Sequence, residues 1–245
     1  MIRIGKDALG VAQLAASDAL ELVTSLLVDQ YLVHLSLTGG TVGIATIREL
    51  VSSSGASAVD WSRVHIWWGD ERFVERASND RNCVQAYAVG LKDLGIPVSN
   101  IHEFPAFLPE LETTVGSQLD SAVEAFELEC LEFADADSGF INFDLTLLGV
   151  GPDGHVDSLF PERPLPQPGA QIHAEHDSPK PPKYRLTFSY EAIRASKRVW
   201  ITAAGSEKAH VVTESIARKS ELPVGLVSGI LETRWYIDQA IADQL

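Results

Sequence analysis

The chain has 245 residues, 45% hydrophobic and 22% charged, which is ordinary globular composition and enough to bury a sizeable core. Nineteen Lys and Arg against thirty-four Asp and Glu leave a net charge of −15, lacking the basic face that a nucleic-acid or anionic-membrane partner needs. Apolar runs too short for a bilayer, no signal-peptide pattern, and only Cys83 and Cys130 without a ligand cluster predict a soluble, cytoplasmic protein with neither disulfide framework nor zinc site.

Helical spacing of Leu9, Ala12, Ala16, Ala19, Leu20, Val23 and Leu27 predicts a first helix. A strand over Tyr31 to Leu37 and a helix over Thr41 to Leu50 follow. Val64 to Trp68 reads as a second strand, with a polar loop and a helix near Asp80 to Leu91 after it. A long helical stretch, about Leu111 to Phe133, precedes the apolar strand Phe143 to Leu148. Further strands are expected at Tyr184 to Phe188, Arg198 to Ala203 and Arg234 to Ile237, with a helix from Ser206 to about Arg218. This alternation predicts one α/β domain over residues 1–245, a mostly parallel, doubly wound sheet with helices on both faces. Seven of the twelve prolines fall between Pro161 and Pro182, so Pro161 to Lys183 is expected to be a mobile rim of the site rather than part of the core, its prolines preventing ladder formation.

Ligands in open α/β sheets bind where strands end and helices begin, at a topological switch point. Four segments of this chain sit at such places. Thr38-Gly39-Gly40-Thr41 opens a helix after a strand, where free backbone N–H groups and the helix N-terminus favour an anion. Without a Walker lysine or a GxGxxG pattern, it does not read as a nucleotide site. Gly69-Asp70-Glu71-Arg72 places three charges at the end of a buried strand, with Trp67 and Trp68 as core and pocket wall. Gly149-Val150-Gly151-Pro152-Asp153-Gly154-His155 runs a strand into three glycines and presents Asp153 and His155 at the turn. An imidazole there suits base catalysis near neutrality, whereas His34, His65, His102 and His210 read as structural. Gly205-Ser206-Glu207-Lys208 puts a cation in the first turn of a helix, against the macrodipole, which suits an anionic ligand.

These segments resemble the 6-phosphogluconolactonase family, within the larger glucosamine-6-phosphate isomerase/lactonase superfamily. The resemblance rests on Thr38-Gly39-Gly40-Thr41, on Trp68 to Val74 with Arg81-Asn82, and on Phe143-Asp144 with Gly149 to Pro161. Lys180-Pro181-Pro182, Tyr184 to Thr187, Gly205 to Ala209 and Leu222-Pro223-Val224 continue it across nearly the whole chain. Two departures stand out: Val42-Gly43 where the first loop usually continues with hydroxyl residues and proline, and Val156-Asp157 after the histidine, which adds a carboxylate.

The resemblance implies hydrolysis of 6-phospho-D-glucono-1,5-lactone in the oxidative pentose phosphate pathway, with no metal and no cofactor. His155 would activate water, oriented by Asp70 or Asp153. Arg72, Lys208 and the loops carrying Thr38, Gly39, Gly40, Thr41 and Gly151 would hold the sugar-phosphate lactone. The isomerase branch typically carries an acid five positions after the histidine, where this chain has Phe160. That disfavours the aminosugar-phosphate isomerase/deaminase alternative, and the retained base disfavours a non-catalytic binding protein. Oligomeric state stays open, with a monomer favoured.

Overall fold

A computed structural model describes residues 1–217 and 220–245. In chain order, β1 (Ile2–Gly5) leads into α1 (Ala8–Asp29), β2 (Val33–Leu37), α2 (Gly40–Ser52), β3 (Val64–Trp68), β4 (Asp70–Arg72), α3 (Asn82–Ala88), β5 (Ile101–His102) and α4 (Val115–Leu131). The second half runs β6 (Leu145–Gly149), β7 (Ile172–Glu175), β8 (Arg185–Phe188), α5 (Tyr190–Arg194), β9 (Arg198–Ala203), α6 (Ala209–Ile216), β10 (Glu232–Asp238) and α7 (Gln239–Ala242).

Seven strands form one sheet in the order β1-β10-β9-β6-β2-β3-β5, and every pair in it is parallel. This is the α/β architecture the alternating pattern predicts, with helices on both faces. Strand β3 is buried at all five positions, as a strand covered on both faces must be. Burying a large apolar side chain stabilises by about 1.5–3 kcal/mol, and Trp67 and Trp68 lie wholly in this core. Asp7 opens α1 by accepting the Gly10 N–H at 2.9 Å, a cap worth about 1 kcal/mol. The expected apolar stripe of α1 is buried from Ala12 to Leu27, while Leu9 is exposed.

Four expectations need correction. At 22 residues, α1 is long and apolar enough by length and composition to cross a bilayer; here its apolar face packs on α2, β9 and β10. A second, antiparallel sheet in the order β4-β8-β7 exists beside the main one, and the strand expected near Tyr184 belongs to it. The Pro161 to Lys183 segment is not all rim. Its prolines cluster at both ends, and the proline-free stretch between them can donate ladder bonds, so Ile172–Glu175 pairs with β8 and buries Ile172 and Glu175. The helix expected from Ser206 starts as a 3-10 turn over Ser206–Lys208 before α6, and its expected end at Arg218 lies outside the described residues.

From β2 the chain winds outward through β3 to β5, and from β6 it winds the other way through β9 to β10. The neighbours β2 and β6 are therefore the switch point, and their carboxyl ends open a crevice between oppositely wound halves. On β2, β3 and β5, the rings of His34 and His65 stack at 4.7 Å between centroids, and those of His65 and His102 at 5.2 Å. Burial, together with the neighbouring imidazoles, pushes both His34 and His65 down to about 4. This matches their structural reading.

Candidate active site

A cavity of about 280 Å³ occupies the crevice. Of the residues singled out in the sequence, Thr38, Gly39, Gly40, Thr41, Asp70, Arg72, His155 and Lys208 line it. The segments that carry them lie far apart in sequence and meet only through the topology.

The loop after β2 leads directly into α2. Gly40 adopts φ +74°, a left-handed conformation that a β-carbon disfavours, and the N-cap Gly39 supplies no side-chain acceptor. The first N–H groups of this 13-residue helix are thus left uncapped at the cavity, an arrangement that favours an anion.

The next segment separates its charges by strand alternation, since successive side chains on β4 point to opposite faces. Asp70 and Arg72 reach the cavity, whereas Glu71 turns into the core. There Glu71 accepts the N–H groups of Arg72, Asn82 and Cys83 and lies 3.5 Å from Arg81. Burial raises its pKa, while Arg81 and these bonds act to lower it. Asp70 is fixed by Asn82 Nδ2 at 2.9 Å and by the Ser158 hydroxyl at 2.6 Å. It is Asp153, rather than Asp70, whose carboxylate contacts the imidazole. One guanidinium arm of Arg72 donates to the Asp80 carbonyl at 2.6 Å.

The loop after β6 carries the reactive group. Asp153 Oδ1 lies 2.5 Å from His155 Nδ1. A carboxylate there accepts the Nδ1 proton, which leaves Nε2 unprotonated and, among the described residues, without a hydrogen-bond partner. Gly151 does not line the cavity. It lies under the ring, where a β-carbon would sit 2.0 Å from Nδ1 and Cε1. Phe160 covers the ring at 4.9 Å between centroids. Burial lowers the His155 pKa from its ordinary value although Asp153 opposes the shift, which favours the neutral, basic form of the ring. Burial also works against the Asp153 carboxylate, but His155 and Lys180 outweigh it and its pKa is lowered.

Sequence reasoning did not assign four further groups at the cavity. Lys180 reaches Asp153 and His155, and Arg185 lies in the wall with its guanidinium 3.9 Å from Asp70. The buried Asn82 holds Asp70. The extra carboxylate Asp157, at φ +49°, packs against Gly69 and receives a long 3.4 Å bond from the Thr38 hydroxyl. Burial and the neighbouring Asp70 push its pKa well above that of an ordinary aspartate. Lys208, in the N-cap position of α6, also lines the cavity, its pKa lowered by burial against the pull of Glu207 and Asp238. The signal that could have found Lys180 and Arg185 is the Lys180-Pro181-Pro182 and Tyr184-Arg185 segments, which carry the resemblance and end the expected rim of the site.

A carboxylate-oriented imidazole facing an uncapped helix end and several cations is equipment for an enzyme acting on a small anionic molecule. The family model described as glucosamine-6-phosphate isomerases/6-phosphogluconolactonase matches residues 6–235, and the chain belongs to that family. A 6-phosphogluconolactonase of Streptomyces coelicolor is 36% identical over 214 residues, covering 85% of this chain and 80% of that protein. The crystal structure of a 6-phosphogluconolactonase from Thermotoga maritima superposes with a TM-score of 0.83 at 26% identity, over 98% of this chain and 99% of that one. A monomeric glucosamine-6-phosphate deaminase shares the fold at a TM-score of 0.78, 16% identity, and 100% and 99% coverage. Fold alone therefore does not separate the family's two chemistries.

Proposed function

We propose that this enzyme hydrolyses 6-phospho-D-glucono-1,5-lactone to 6-phospho-D-gluconate, the lactonase step of the oxidative pentose phosphate pathway, as a carboxylic ester hydrolase. The observation that carries this reading is the Asp153–His155 pair with a free Nε2 at a cavity lined by Lys208, Arg72 and the start of α2. Nε2 takes a proton from water, the water oxygen bonds to C1, and the carbonyl electron pair moves onto its oxygen. Collapse re-forms the carbonyl and breaks the bond from C1 to the ring oxygen. The imidazolium, stabilised by Asp153, returns its proton to that leaving oxygen. The substrate phosphate, with about −1.5 to −2 charges at pH 7, sits with Lys208, Arg72 and the first N–H groups of α2. A local cluster of cations thus serves an anionic substrate in a chain of net charge −15.

Phe160 favours the hydrolytic branch over the isomerase branch. A phenyl ring against His155 cannot transfer the proton that ring-opening of an aminosugar phosphate needs. Decay of freshly generated phosphogluconolactone, timed against its spontaneous background, tests the reading. Acceleration by the wild type and none by His155→Gln is expected. Ammonia release from glucosamine-6-phosphate, with no effect on the lactone, would overturn it.

A further inference from the structure

Lys180 belongs to a segment that the reading above leaves without a task, although it lies closer to the base than any other cation described. Its Nζ is 3.0 Å from His155 Nδ1 and 3.3 Å from Asp153 Oδ1, and the side chain lines the cavity. The backbone beneath it is held from two sides. The buried guanidinium of Arg185 donates to three consecutive carbonyls: Lys180 at 3.0 Å, Pro181 at 3.1 Å and Pro182 at 3.0 Å. Ser178 donates its hydroxyl proton to the Lys180 carbonyl at 2.8 Å and accepts the Lys180 N–H at 3.2 Å. So elaborate a clamp fixes where this lysine starts, while its four-carbon stem leaves the ammonium free to turn.

The ammonium has three protons to place. In the tautomer that leaves Nε2 basic, the Nδ1 proton points to Asp153 and Nδ1 has no lone pair to offer Lys180. Asp153 satisfies one ammonium proton, and the others have the cavity before them. A water on Nε2 lies about 3 Å from it, and the attacked carbon about 3 Å further on. The carbonyl oxygen of the substrate therefore comes within the sweep of a lysine anchored beside the ring. The other cations are less available: one arm of Arg72 is tied to Asp80, Nε and Nη2 of Arg185 are taken up by the clamp while its Nη1 lies against Ser158 and Asp70, and Lys208 is assigned to the phosphate.

Resting on the hydrolytic reading, we propose that Lys180 is a catalytic residue: its ammonium turns from the Asp153–His155 pair to the substrate's carbonyl oxygen and holds the oxyanion that forms there. The step adds no reagent. The pair of electrons leaving the carbonyl π bond resides on an oxygen hydrogen-bonded to Nζ, and returns when the ring C–O bond breaks. Before substrate arrives, the same ammonium opposes protonation of His155. The charged and titratable groups acting on that ring are Asp153 on its own loop, Lys180, and Asp70 on β4.

The test compares wild type, Lys180→Met, Lys180→Arg and His155→Gln on phosphogluconolactone, with inorganic phosphate as a competing ligand. Lys180→Met is expected to lower kcat by about 10²–10³-fold, the usual worth of an oxyanion donor, with the inhibition constant for inorganic phosphate within about twofold of wild type. Lys180→Arg should recover part of the loss. The acid limb of kcat/KM should also move to higher pH in Lys180→Met, because the ammonium that opposes protonation of His155 is gone. Unchanged kcat in Lys180→Met would overturn the proposal, as would weakened inorganic phosphate binding, which would place Lys180 at the phosphate end. If the wild type itself leaves the lactone untouched, the hydrolytic reading fails first. Thermal melting of each variant separates loss of fold from loss of chemistry.

Discussion

Replacing Asp153 by Asn should disable the base while keeping the shape of its loop. Asp153 Oδ1 meets His155 Nδ1 at 2.5 Å, and this charge-assisted bond both selects the tautomer and stabilises the imidazolium formed on proton transfer. Loss of such a bond costs about 1.5–3 kcal/mol, or roughly ten- to a hundredfold at about 1.4 kcal/mol per factor of ten. A second cost follows from the tautomer. An Asn amide can donate to Nδ1, and Lys180, already 3.0 Å away, can do the same once the carboxylate is gone. Both place the remaining proton on Nε2, where it blocks acceptance of the water's proton. Together the expected loss in kcat is about 10²–10⁴-fold. Lactone decay followed at several enzyme concentrations measures it, with 6-phosphogluconate affinity by calorimetry as control. Asp153→Asn should bind that ligand nearly as the wild type does. A variant retaining kcat within threefold of wild type, about 0.7 kcal/mol, would show that the carboxylate does not set the tautomer.

Gly151→Ala should abolish most activity while the chain stays folded, because the added methyl would lie 2.0 Å from the imidazole and must displace it; melting temperature and lactone turnover measured together check this. Lys208→Ala should weaken phosphorylated ligands by about 1.5–3 kcal/mol and leave slow hydrolysis of the unphosphorylated lactone unaltered; equal damage to both would place Lys208 elsewhere than at the phosphate. Chemical denaturation between pH 7.5 and 3.5 should show stability falling as the buried imidazoles charge. His34 and His65 titrate near 4 when folded against 6.5 ordinarily, so their contribution is full above pH 6.5, erodes towards pH 4 and is gone below it, at most about 3 kcal/mol per ring. His65→Phe should flatten part of that slope.

The strand-to-loop transitions that build the site were legible because each couples an apolar run to glycine or charge. Leu37 into Gly39-Gly40, Trp68 into Gly69-Asp70, and Leu148 into Gly149 all mark strand ends, and their loops do converge. The second sheet was not legible for a related reason. Strand β4 is Asp70-Glu71-Arg72, three charges without apolar periodicity, and it exists because β8 pairs with it across more than a hundred residues of chain. The same pairing carries Arg185 and, through its clamp, Lys180 to the cavity. No local pattern encodes a lysine whose position is fixed by a distant guanidinium on its backbone. Asp153 and Asp70 could not be ranked as partners of the imidazole from sequence, since the choice depends on Ser158 and Asn82 already occupying Asp70.

The switch point also has a kinetic consequence for the newly made chain. Contacts that close the site span long stretches of sequence: 119 residues from Thr38 to Asp157, 88 from Asp70 to Ser158 and 118 from Gly69 to Thr187. Such contacts incur their loop-closure cost before they contribute, and topologies rich in them fold slowly. The winding from β2 through β5 can be present while the base is still absent, and the winding from β6 carries the base without the helix end that receives an anion. Enzymatic activity regained after dilution from denaturant should therefore lag behind recovery of helical circular dichroism, timing the docking of the two halves.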